Sequence, residues 1–201
     1  MKNFSAVLFK YRSYTPVPFL IVMIFYEQAY IWTLIAGFII TAAGELLRLW
    51  GVSWAGSETR TTGNVGGTYL IVSGPFAYVR NPLYAGNILI YLGIGIMSFA
   101  LFPYLQLAAL MFFGFQYHLI VKEEEKFLLQ KFESDYEKYK NEVPRFLPGF
   151  KKFKNPGIPQ PAFSLKSGLK SEKRTLQAIT IVVLIILIKW AVRTRIDALI
   201  S

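Results

Sequence analysis

The chain of 201 residues has no cysteine, one histidine and few charges, with Asp, Glu, Lys and Arg together at 17%. An ordinary soluble domain carries roughly 25% charged residues. Without cysteine there is no disulfide, no thiolate-held metal and no thiol nucleophile. A lone histidine, His118, excludes a multi-histidine site, so no metal is expected. Acidic residues are also scarce, 12 against 22 basic, which leaves a net charge of +10.

What the chain has is apolar sequence in blocks. Residues of the AVILMFWYC set reach 54% and the mean hydropathy is +0.39. Charge-free stretches run over 13–26, 28–44, 81–121 and 175–188. A bilayer core is about 30 Å thick and takes roughly 20 helical residues to cross, so 81–121 is long enough for two crossings. This excludes an ordinary soluble domain and a disordered chain. The basic residues flank the apolar blocks, which points to anionic lipid headgroups rather than nucleic acid.

The pattern predicts an all-α integral membrane protein with about five transmembrane helices, over roughly 13–27, 29–50, 82–98, 101–121 and 175–193. Pro16 and Pro18 suit a helix start, where a missing N–H costs little. Ala36, Gly37, Ala42, Ala43 and Gly44 give the second segment small faces for close packing. Glu45 and Arg48 lie three apart on one face, either as an ion pair at headgroup level or as polar lining of a cleft. Residues 51–80 are rich in turn formers and long for a connection, with a short β-prone piece at 68–72. The break at 98–103 makes an antiparallel helical hairpin. Beyond it, 122–147 is polar and amphipathic, with Phe127, Leu128, Phe132, Tyr136 and Tyr139 at threes and fours.

One membrane domain, 1–201, is expected. Within it, 149–174 reads as a basic linker on the membrane surface and 175–193 as an additional C-terminal apolar helix, with Lys189 and Arg193 snorkelling at its end. Segment 122–174 holds 13 Lys and Arg, which places it and the N-terminus on the cytoplasmic side. With five crossings, Arg193 and Arg195 then fall outside, against the rule.

Two stretches carry chemistry. The first runs from Gly74-Pro75-Phe76 through Arg80-Asn81-Pro82-Leu83-Tyr84 to Gly86. It is a turn feeding polar residues into the start of a helix, whose unpaired N–H groups favour an anion. The second starts at Glu123-Glu124-Glu125 and continues through Leu128, Phe132, Tyr136, Tyr139, Val143, Pro144, Arg145 and Pro148. Carboxylates at that position suggest capture of a hydroxyl-rich or cationic ligand. A solvated charge run is the plainer reading.

Taken together, in this order across an apolar hairpin, the two stretches resemble the isoprenylcysteine carboxyl methyltransferase and phospholipid methyltransferase superfamily. The resemblance covers about 60–148. It implies an S-adenosylmethionine-dependent membrane methyltransferase acting on a lipophilic acceptor, an isoprenylcysteine-like carboxylate or a phospholipid amine. It also implies a cytoplasmic cofactor pocket formed by loop 51–82 and the helix after 121. Carried over by position, the cofactor-binding residues are Thr68, Tyr69, Leu70, Ile71 and Phe76, then Asn81, Pro82, Leu83, Tyr84 and Glu124. No catalytic residue is assigned, although an amine acceptor would need a base and Glu125 is one candidate.

Three departures stand out. Asn81 replaces a common histidine, Glu133 stands where glycine is common after Phe132, and Ile120 replaces an arginine of the eukaryotic prenylcysteine enzymes. The Arg-x-x-x-Tyr-x-Gly element also resembles NADPH-dependent sterol reductases, an alternative against which the Gly-Pro-Phe turn and triple glutamate argue. A non-catalytic scaffold is the third reading.

Overall fold

The structure, a computed structural model, describes residues 2–56 and 68–200. Among the described residues six α-helices form: α1 (Lys2–Tyr11), α2 (Val17–Phe25), α3 (Ile31–Ala55), α4 (Pro82–Ser98), α5 (Tyr104–Glu142) and α6 (Leu165–Ile200), with a 3-10 turn at Gly74–Ala77. No strand forms among the described residues. Part of the expected turn-rich loop, 57–67, lies outside them.

Among the described residues three helices, α3, α5 and α6, are long and apolar enough to cross a membrane, and α4 is a shorter apolar helix. The expected first crossing, 13–27, is only the nine-residue α2. At 1.5 Å per residue that is about 14 Å, under half the hydrocarbon thickness. Pro16 and Pro18 delay its start, and Tyr26 ends it where Gln28 N–H turns back to the Ser98 carbonyl, at 2.8 Å.

Close packing of α3 on α4 organises the bundle. A Cβ on Gly37 would meet the Gly93 carbonyl at 2.4 Å, and one on Gly44 would meet the Gly86 carbonyl at 2.7 Å. Only glycine allows backbones this near, the small-residue contact used where helices gain little by hiding from lipid. Met23, Leu34, Ile90, Ile94, Val183 and Ile186 fill the space where α2, α3, α4 and α6 meet.

Three boundaries differ from expectation. α3 runs on to Ala55, so 51–55 are helical rather than loop. The predicted hairpin arm and polar helix are one element, α5, bent at Glu133 (φ 41°, ψ −116°). Most of 149–174 is not a free linker. Phe153 and Ile158 are buried against Leu70, Val72 and Tyr139, and 165–174 are already the first turns of α6.

α6 is joined to the bundle at both ends. Near its start, Ser164 N–H donates to the Ser53 carbonyl at 2.8 Å and Glu172 accepts from Arg48 at 2.7 Å. Near its end, Lys189 donates to the Ile24 carbonyl and Arg193 pairs with Glu27 at 3.2 Å. Lys189 and Arg193 therefore close onto the end of α2 rather than simply snorkelling.

Candidate active site

The first motif is held in an irregular but fully bonded path. Gly74 has φ 62°, and a Cβ there would sit 2.1 Å from Trp54 Cδ1, so both backbone and space require glycine. The following residues bond to the end of the second motif. Tyr139 donates its hydroxyl to the Phe76 carbonyl at 2.7 Å. Phe153 N–H donates to the Ala77 carbonyl at 2.9 Å, Gly149 N–H to Tyr78 at 2.8 Å, and Arg80 N–H donates to Pro144 at 2.8 Å. Burial pushes the Tyr139 phenol far above its ordinary range, so it stays a neutral donor. The β-prone piece has no partner strand among the described residues. The Gln160 side chain stands in for one, accepting from Val72 N–H at 2.9 Å and donating to the Leu70 carbonyl at 2.7 Å.

Glu125 is the clamp between the two motifs. Arg80 donates to it at 3.0 Å, and Arg145 donates through both Nε, at 3.0 Å, and a terminal nitrogen. Both oxygens of this buried carboxylate are engaged by guanidinium donors. Its geometry therefore fits fixing the fold better than taking a proton from a substrate. The Arg80 guanidinium also donates to the Val143 carbonyl at 2.9 Å, and Asn81 donates to Arg145 at 3.0 Å.

Beside this clamp lies a cavity of about 850 Å³, toward the upper end of the roughly 300–1,000 Å³ common for small-molecule sites. Tyr69, Leu70, Ile71 and Phe76 line it from the loop. Asn81, Pro82, Leu83 and Tyr84 line it from the start of α4, and Glu124 from α5. Thr68, at the exposed edge of the described loop, does not. The two motifs touch inside the cavity, where the Tyr84 hydroxyl donates to Glu124 at 2.8 Å. The first turn of α4 leaves the N–H groups of Leu83 and Tyr84 without intrahelical acceptors, next to the same space. Carboxylate, phenol, free N–H groups and apolar walls therefore share one cavity.

A second polar cluster reaches the same cavity. Arg48 donates to Asn87 at 2.5 Å and to Glu172 at 2.7 Å, while Asn87 donates to Tyr117 at 3.2 Å. Glu45 lies 3.8 Å from Arg48, yet neither of its buried oxygens has a hydrogen-bond partner. Arg48, Asn87 and Glu172 line the cavity, whereas Glu45 stands behind them. Of the two readings of the Glu45 and Arg48 pair, the cleft lining holds for Arg48. Sequence reasoning missed Glu172 altogether. Its signal is visible in retrospect: it is the one acid between Lys170 and Lys173-Arg174, just before an apolar run.

α6 was expected as an addition to the core. Instead Glu172, Arg174, Thr175, Ala178, Ile179 and Val182 make one wall of the cavity. Phe9, Arg12, Pro16 and Leu20 from the N-terminal region face it as well.

These features define a helical framework with membrane-long apolar helices and one cavity lined by both motifs. The chain belongs to the phospholipid methyltransferase family, whose sequence profile matches residues 32–135. It is also similar to the cobalt-zinc-cadmium resistance protein CzcN of Cupriavidus metallidurans, with 32% identity over 103 residues. That stretch is 50% of this chain and spans 42% of the relative's length.

Proposed function

We propose that this protein transfers a methyl group from S-adenosylmethionine to a lipophilic acceptor at the membrane. The observation that carries the reading is the Tyr84 to Glu124 hydrogen bond of 2.8 Å, which joins the two family motifs across one cavity of about 850 Å³. The residues present fit the cofactor's chemistry. The first turn of α4 offers N–H groups to its carboxylate. Leu70, Ile71, Phe76 and Tyr69 offer apolar and aromatic walls to its adenine. Glu124 offers an acceptor to its ribose hydroxyls or ammonium.

When bound, S-adenosylmethionine supplies an electrophilic methyl group on a positively charged sulfur. What the chain supplies is alignment and shelter. Fixing both reactants in line is worth up to several kcal/mol of barrier, and closing the site against water prevents hydrolysis. Arg80, Glu125 and Arg145 hold the two motifs in register, Tyr139 fixes the turn at Phe76, and Tyr84 orients Glu124. A carboxylate acceptor needs no base, and Glu125, held by two guanidiniums, is not one. The 13 Lys and Arg of 122–174 support a cytoplasmic position for this face by the positive-inside rule.

The test is incubation of the purified full chain with methyl-labelled S-adenosylmethionine and a total lipid extract. Label should appear in one chloroform-soluble species. Label confined to the aqueous phase at every protein concentration would reject the reading.

A further inference from the structure

The cavity continues past the family motifs to α2 and α6, which lie outside the matched segment, and to the middle of α4, which lies inside it. Its deep end is apolar, lined by Leu20 of α2, Ile90 and Ile94 of α4, and Ile179 and Val182 of α6. On one side its lining residues are exposed: Ser13 and Val17 from the N-terminal part, Arg174 and Ala178 from α6. The cavity therefore opens between the start of α2 and the early turns of α6, while further along the two helices pack together through Met23, Val183 and Ile186.

The charges on the lining separate into used and unused. Arg48 is paired with Glu172 and Arg80 with Glu125, while Glu124 accepts from Tyr84. Arg12 and Arg174 have no carboxylate within ion-pair distance among the described residues. Arg12 stands over Phe9, 3.8 Å from the ring centroid, and donates one terminal nitrogen to the Phe9 carbonyl at 3.0 Å. Positive charge thus stands on both elements that make the opening, one group from the turn before α2 and one from α6. A neutral or cationic headgroup gains nothing there, whereas an anion has two guanidinium donors to meet.

We infer that the opening between α2 and α6 is the acceptor subsite. It takes an anionic amphiphile whose aliphatic chain lies against Leu20, Ile179 and Val182 and whose carboxylate or phosphate meets Arg174 and Arg12. This rests on the methyltransferase reading and assigns acceptor choice to helices that the family segment does not include. Apolar burial of the chain gives affinity without direction, and the guanidiniums fix which end faces the cofactor.

The experiment is native mass spectrometry of the full chain released from neutral detergent, titrated with oleate, oleoyl lysophosphatidate, monoolein and oleylamine. S-Adenosylmethionine binding is measured separately by calorimetry. Arg174 and Ala178 are exposed, so R174Q and A178W leave the packing undisturbed. Oleate or lysophosphatidate should bind at least tenfold more tightly than monoolein and oleylamine, the better of the two naming the anion. R174Q should remove that preference, and A178W should weaken every amphiphile at least tenfold. Both variants should keep the thermal melting midpoint of the unaltered protein within about 2 °C, as expected for exposed positions. Equal binding of all four amphiphiles, a preference surviving R174Q, or binding untouched by A178W would overturn the subsite. Failure of the unaltered protein to bind S-adenosylmethionine would instead reject the methyltransferase reading, whatever the amphiphiles do.

Discussion

Replacing Glu133 by glycine should stabilise the protein, and the reason lies in one bend. α5 leaves helical geometry at Glu133, with φ 41° and ψ −116°. The bend carries the last turns of α5 to where Tyr136 and Tyr139 are buried against the loop of the first motif. A side chain in such a sparsely populated region costs about 1–3 kcal/mol. Glycine removes that strain but adds about 0.5–1 kcal/mol of unfolded-state entropy. The net expectation for Glu133→Gly is a gain of about 1 kcal/mol. On the scale of a chain this long, that raises the midpoint of thermal unfolding by about 2–4 °C. The assay is circular dichroism melting in detergent, with Glu133→Ala alongside. Glu133 is exposed, so removing its carboxylate alone should change little, and alanine bears the same backbone strain. Alanine should therefore leave the midpoint within about 1 °C, by the small effect usual for surface substitutions. If alanine stabilises as much as glycine, the bend is not held by the surrounding packing and the reasoning fails.

Glu172→Ala should destabilise by about 3–5 kcal/mol, because it strips a buried partner from Arg48; urea or thermal melts that move by less than about 1 kcal/mol would show the latch is dispensable. Gly74→Ala should cost at least about 2 kcal/mol, combining positive φ with a collision against Trp54, and intrinsic tryptophan fluorescence should report the displaced indole. A fluorescence spectrum unchanged from that of the unaltered protein would contradict the packing described for that turn.

Parts of the site were legible in the sequence because their chemistry is local. The Gly-Pro-Phe turn, the helix start at Pro82 and the glutamate run each show within a few residues, and the structure brings Tyr84 and Glu124 together as two lining groups of one cavity. The substitution of Glu133 for a common glycine was legible as an oddity, and its positive φ gives the physical reason why glycine is common. What could not be read is long-range pairing. Arg48 and Glu172 are 124 residues apart, and periodicity marks α6 as apolar without saying which face meets a cavity. The β-prone 68–72 piece misled for a related reason. Alternating propensity anticipates a neighbouring strand, whereas here one glutamine amide, from Gln160, fills the backbone bonds. The first apolar block misled by its length, since residues 13–16 precede the helix and leave α2 too short to cross.

The central claim is that the two motifs close over one S-adenosylmethionine through Tyr84 and Glu124. Isothermal titration of the full chain in detergent tests it most directly. The unaltered protein should bind S-adenosylmethionine, and Glu124→Gln should weaken binding by about tenfold or more, in line with loss of a charge-assisted hydrogen bond worth about 1.5–3 kcal/mol, while the melting midpoint stays close to that of the unaltered protein. No binding by the unaltered protein, or equal affinity in the Glu124→Gln variant, would contradict it.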